Sequence, residues 1–191
     1  MEELIQTVIE RIKKEQKEKR QLFIAVDGRC AAGKTTFAEN LKKRLGANVL
    51  HMDDFFLQPA QRTAERLAEP GGNVDYERFL KEVMLPLKKG EPFSFRPYDC
   101  HRQAFSEEVF IEPCFCNIIE GSYSCHPALF DHYDIRLFLT LGKEKQLCRI
   151  RERNGADMLL LFRDKWIPLE ERYFAHFQIE KRCDISYRIP D

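Results

Sequence analysis

No apolar run in this 191-residue chain approaches the roughly 20 residues that a bilayer-spanning helix requires, so a membrane partner is not expected. Neither sign of charge predominates: 31 basic residues face 31 acidic ones, for a formal net charge of zero. A protein held to nucleic acid by phosphate neutralisation carries a surplus of Lys and Arg, and the lack of one weighs against that partner. Residues 1–20 alternate acidic, basic and aliphatic side chains without an apolar core, unlike a secretory signal. No disulfide framework is legible either. The seven cysteines, at 30, 100, 114, 116, 125, 148 and 183, are odd in number and unpatterned. Cys114 and Cys116 have no second pair at zinc-ligand spacing. Reduced thiols in a cytoplasmic protein are the expectation. Internal repeats and low-complexity linkers are also missing, and the length suits one α/β domain over 1–191. Association of identical copies is left open.

What is present is an alternation of helix and strand patterns. Leu4, Ile5, Val8, Ile9 and Ile12 recur at helical spacing and predict an amphipathic helix within 1–20. An uninterrupted apolar run at 22–26 and mainly apolar segments at 49–52, 115–119, 135–141 and 185–189 predict five strands. Helical stretches are expected at 35–45, 76–87, 143–153 and 169–181, with a loop at 57–74 and strand-like but interrupted chain at 93–112. Strands alternating with helices imply a three-layer α/β fold with a mainly parallel five-stranded sheet.

Gly28-Arg29-Cys30-Ala31-Ala32-Gly33-Lys34-Thr35 fits the phosphate-binding pattern GxxxxGK[ST], the P-loop, at every fixed position. Four fixed positions match by accident in very roughly one chain per hundred of this length. A buried strand before the loop and a helix after it are the context the motif demands. Glycine turns aim successive N–H groups at phosphate oxygens, and the helix adds its positive end. Lys34 would reach the β- and γ-phosphates of ATP, the Thr35 hydroxyl would ligate Mg²⁺, and Thr36 continues the cradle.

Two acidic positions follow. Asp53-Asp54 ends the second strand, where a carboxylate can take an acceptor's proton or help to hold Mg²⁺, and Asp53 is the candidate base; a cap on the next helix is the lesser alternative. Glu120 ends the third long apolar strand, the place for a carboxylate that orients the metal.

These residues resemble the uridine kinase and phosphoribulokinase group of P-loop kinases from about residue 22 to 180. The likeness is carried by the P-loop with its Lys34-Thr35-Thr36-Phe37-Ala38 continuation, by His51-Met52-Asp53-Asp54-Phe55-Phe56, by Pro97-Tyr98-Asp99 with His101, and by Ile118-Ile119-Glu120-Gly121. The Asp-Asp-Phe-Phe run is also similar to nicotinamide riboside kinases. The resemblance implies Asp53 as catalytic base, with Phe56, Asp75, Tyr98 and His101 around the acceptor. Asp75 reads equally as an N-cap, and Tyr98 and His101 as polar residues at a strand edge. The resemblance also implies a small helical lid at about 149–163, whose Arg149, Arg151 and Arg153 would neutralise phosphoryl charge. Arg149 and Arg153, four apart, share a helix face. Uridine kinases tend to carry Glu-Arg-Gly-Arg in the lid; this chain has Glu152-Arg153-Asn154-Gly155-Ala156, so one arginine is missing or displaced, Arg163 being the candidate. Residues 166–173 read as packing for the last helix.

The expectation is transfer of the γ-phosphate of Mg-ATP to a hydroxyl of a small nucleoside-like molecule. A vitamin-like acceptor, such as nicotinamide riboside or pantothenate, is the alternative within that chemistry. A nucleotide-dependent switch is the alternative outside it, although the guanine-reading Asn-Lys-x-Asp is missing.

Overall fold

The computed structural model describes residues 1–190. Helix α1 (Glu2–Glu15) buries Leu4, Ile5, Val8, Ile9 and Ile12, the stripe its spacing predicts. Strand β1 (Leu22–Gly28) is buried along its whole length, as a parallel strand covered on both faces must be. Then come α2 (Lys34–Leu45), β2 (Asn48–His51), a 3₁₀ turn at Met52–Phe55 and the short α3 (Ala64–Ala68).

The helix expected from Tyr76 is built in three pieces: α4 (Tyr76–Phe79), a π turn at Leu80–Met84, and α5 (Leu85–Lys89). Pro86 accounts for the wide turn. It has no N–H to donate and its ring crowds the carbonyl four residues back, so the chain widens just ahead of it. The interrupted stretch that follows folds into two nested antiparallel pairs. Strand β3 (Phe93–Phe95) pairs with β6 (Val109–Ile111), and between them β4 (Tyr98–Asp99) pairs with β5 (Ala104–Phe105).

Strand β7 (Cys116–Glu120), α6 (Pro127–Phe130) and β8 (Ile135–Thr140) lead to α7 (Lys143–Leu161). This helix is longer than the sequence predicts, and it leaves helical dihedrals once, at Gly155 (φ 85°, ψ 172°). A second π turn, Phe162–Trp166, precedes Pro168 in α8 (Ile167–Phe177), repeating the arrangement at Pro86. The late helix expected over 169–181 is divided by Gln178, whose φ of 52° ends α8 and starts α9 (Ile179–Arg182). Strand β9 (Ile185–Arg188) follows.

Five strands form one sheet in the order β2-β7-β1-β8-β9, and every pairing in it is parallel. Alternation along β1 sends Leu22, Ile24 and Val26 into a core shared with α1 and α2, and Phe23 and Ala25 into one shared with Phe79, Val83, Tyr173 and Phe174. The result is a three-layer α/β fold. Strand β1 is central, while β2 and β9 are the two edges. Loops leaving the carboxyl ends of these strands therefore converge on one crevice, with the Gly28–Thr35 turn at its middle. Among the described residues no helix is long and apolar enough to cross a membrane.

Candidate active site

The turn after β1 is tied down at both ends. At Gly28, φ is 130°, and a β-carbon would collide with the Leu139 carbonyl of β8, so only glycine lets the neighbouring strand pass. Ala31 adopts φ 62°, and Gly33, at φ 85°, caps α2. Lys34 opens that helix. Its buried ammonium donates to the carbonyls of Gly28 at 2.7 Å and Arg29 at 3.1 Å, and lies 3.4 Å from Ser122 Oγ. The lysine is thereby held along the inside of its own loop, where a phosphate chain would take over those contacts.

The Thr35 hydroxyl donates to Glu120 Oε1 at 3.1 Å. The same oxygen lies 2.5 Å from His51 Nδ1, because parallel register sets His51 of β2 beside Glu120 of β7. This bond raises the His51 pKa above its ordinary 6.5, against the pull of burial. Threonine hydroxyl and carboxylate together are the hard oxygen donors that suit Mg²⁺. Among the described residues no three His, Cys, Asp or Glu side chains converge as a closed metal cage.

Asp53 starts the 3₁₀ turn directly after β2 and lines the crevice. Cleft water reaches its side chain, yet protein crowds the carboxylate on most sides. The lost solvation raises its pKa above the usual 3.8; Lys34 and His51 lower it, while Glu120 and Glu170 add to the rise. Proton affinity above that of an ordinary carboxylate is what a base for a hydroxyl needs.

The crevice has a volume of about 1090 Å³. Sheet order gives it two ends. Beyond β2 lie Asp53, Phe56, Leu57, Arg62, Asn73 and His101; toward β9 lie Arg149, Arg153, Tyr187, Ile189 and Pro190. Met158, Leu161, Phe162 and Trp166, on α7 and the π turn beyond it, also line the space. Arg149 donates to the Ala31 carbonyl of the phosphate turn at 3.1 Å. Arg153 lines the crevice with its Nε on Asn154 Oδ1 at 2.8 Å.

No protein-family model matches the chain, and neither does any curated protein. Solved structures do. A protein described as a possible uridine kinase from Bacillus stearothermophilus superposes with a TM-score of 0.69 at 21% identity, over 97% of this chain and 99% of that one. A candidate fructose transport system kinase from a Silicibacter species gives 0.70 at 22%, over 96% and 97%. D-glycerate 3-kinase from Cryptococcus neoformans gives 0.65 at 15%, over 89% and 87%. This is the fold of P-loop kinases. At these identities the likeness is one of fold.

Not every residue marked by sequence lines this crevice. Asp75 is the N-cap: one oxygen accepts from Arg78 N at 3.0 Å and the other from Gln61 Nε2 at 2.7 Å, and the side chain is buried. Tyr98 is buried against Phe105, with ring centroids 5.6 Å apart, and its hydroxyl has no partner. Arg151 projects from the exposed face of α7 outside the crevice, because only its neighbours four apart share the inner face. Arg163 pairs with Asp164 at 2.6 Å on the surface and does not supply the missing lid arginine. Arg29 is turned outward, held by both oxygens of Glu171 at 2.6 and 2.8 Å. The Cys30 thiol is pushed up to about 12, first by burial, which leaves it protonated and inert.

Sequence reading missed three side chains. Glu170, within the stretch read as packing, accepts the Cys30 N–H at 3.0 Å and the Ser122 hydroxyl at 2.6 Å. Asp27 lies buried just before the turn and accepts the N–H groups of Gly28, Tyr123 and Cys125 and the hydroxyl of Tyr173. Desolvation lifts its pKa to about 6 against those donors. His51 is the third. Only its place at a strand end, next to an acidic pair, hinted at a role.

Proposed function

We propose that this protein is a Mg-ATP-dependent kinase that phosphorylates a hydroxyl of a small molecule of about nucleoside size. One observation carries the reading. A carboxylate at the end of β2, Asp53, lines the same crevice as the Lys34 turn and the Thr35–Glu120 pair. A protein that only bound nucleotide would have no use for a base at that point.

In this reading the triphosphate runs along the Gly28–Thr35 amides, with the nucleoside end toward β9 and the acceptor beyond β2. Asp53 takes the acceptor's hydroxyl proton as its oxygen bonds to the γ-phosphorus, and the bond to the β-bridging oxygen breaks with its electron pair leaving on ADP. Lys34 and the lid arginines, Arg149 and Arg153, stabilise charge that spreads over the phosphoryl oxygens. Thr35 and Glu120 would hold Mg²⁺, which when bound neutralises phosphate charge. His51 fixes the Glu120 carboxylate in place. Phe56 and His101 are what remains of the nucleoside-reading set inside the crevice, and they support an acceptor with a flat or apolar body.

A coupled ADP-release assay over a panel of hydroxyl-bearing acceptors tests this. One acceptor should stimulate release at least tenfold over water, and Lys34→Ala should abolish it. Slow hydrolysis that no acceptor stimulates would return the protein to the nucleotide-switch class.

A further inference from the structure

We infer that the acceptor is an anion, and that Arg62 reads its carboxylate or phosphate at the β2 end of the crevice. This rests on the kinase reading above and sharpens it.

The group that would read a neutral sugar is committed elsewhere. Both oxygens of Asp75 are spent on Arg78 N and Gln61 Nε2. Gln61 closes a 3₁₀ turn, Pro59–Gln61, and its Oε1 accepts from Gln58 N at 2.8 Å. The residue that this braced turn delivers is Arg62, whose Nε donates to the Leu57 carbonyl at 3.0 Å and so fixes the plane of the guanidinium. Asp75 thus serves the acceptor end indirectly, as the anchor of the turn that presents an arginine.

Arg62 lines the crevice together with Asp53, Phe56 and Leu57. Its charge is not neutralised by the protein. The neighbouring Arg66 and Arg78 are paired with Glu77 at 2.6 Å and Glu82 at 3.2 Å. Among the described residues no carboxylate lies within ion-pair distance of Arg62. The Cys100 thiol is also on the crevice wall; burial raises its pKa first, with Asp99 and Asp53 adding to the rise and Arg62 opposing it. Asp53 and Arg62 thus line the same crevice. A planar fork held in orientation on the crevice wall is suited to bidentate recognition of carboxylate or phosphate.

The test uses the full chain with Mg²⁺ and a non-hydrolysable ATP analogue, so that the phosphate turn is filled. Thermal shifts are read for pantothenate against its neutral alcohol pantothenol, glycerate against its methyl ester, and ribose 5-phosphate against ribose, with uridine added. At least one anionic member should raise the melting temperature by about 3 °C or more at saturation, its neutral twin should not, and Arg62→Gln should erase the difference. Arg62→Lys, which keeps the charge but not the fork, should recover only part of it. Equal shifts from neutral twins, an anionic shift that survives in Arg62→Gln, or no shift from any anionic probe overturns the inference. Phosphorylation of uridine alone would overturn it while leaving the kinase reading intact. Failure of the ATP analogue itself to stabilise the protein would remove the kinase reading first.

Discussion

Glu170 of α8 reaches across to the phosphate turn and accepts the backbone N–H of Cys30 at 3.0 Å. Its other oxygen takes the Ser122 hydroxyl at 2.6 Å, and the adjacent Glu171 grips Arg29. The helix that follows the lid is therefore fastened to the loop that would hold the triphosphate. Glu170→Ala would leave the buried Cys30 amide without a partner and the Ser122 hydroxyl with only the Gly28 carbonyl, 3.4 Å away, to accept its proton, at about 1–3 kcal/mol of stability, and should weaken ATP-analogue binding as well. Glu170→Gln keeps one accepting oxygen and should recover part of both. Denaturation midpoints and calorimetric titration check this; an alanine variant as stable as the parent refutes the coupling.

Asp53 poses a conflict between function and stability. Its raised pKa means that the folded state holds the proton more tightly than the unfolded chain does, so its contribution to stability is lost as pH rises through the folded pKa. Above that folded pKa the ionised group is a burden. Asp53→Asn should melt higher than the parent while kcat falls roughly 10²- to 10⁴-fold. In the parent, kcat/KM should rise with pH through a limb above the ordinary 3.8, and that limb should vanish in the variant.

The His51–Glu120 pair titrates in the alkaline direction. A raised imidazole pKa gives stability that is complete below 6.5 and lost as pH rises through the higher folded value. Urea midpoints at about pH 6 and about pH 9 should differ more in the parent than in His51→Gln. Equal pH sensitivity in both proteins would mean that the pair contributes nothing in solution.

Asp27 is surrounded by donors only: three backbone amides and the Tyr173 hydroxyl. Asparagine must turn its NH₂ toward at least one backbone N–H, leaving a buried donor unpaired. Asp27→Asn should lose about 1–3 kcal/mol, measured by urea unfolding, despite being nearly isosteric. No loss would show that the carboxylate is held protonated.

The fold was legible because its signals are local. The apolar run at 22–26 and the stripe Leu4, Ile5, Val8, Ile9 and Ile12 each reveal a buried face through periodicity. The phosphate turn was legible because its geometry demands particular residues at fixed spacing. Glu170 and Arg62 were not. Each acts through a partner brought near by tertiary packing, 140 residues away for Glu170 and Cys30, and neither stands in a pattern. Asp75 was ambiguous for the opposite reason. One aspartate before a helix suits both a cap and a ligand, and only the location of Gln61 decides.

The break at Gly155 divides α7 into a root and a flap. The root is moored by Arg149 to the Ala31 carbonyl, whereas nothing beyond its own turn of chain lies within 4 Å of where a β-carbon on Gly155 would stand. A side chain there would meet backbone strain rather than a neighbour. In the proposed kinase reading, where this segment is the lid, its resting angle is thus set at one position of the sequence that touches no reacting group.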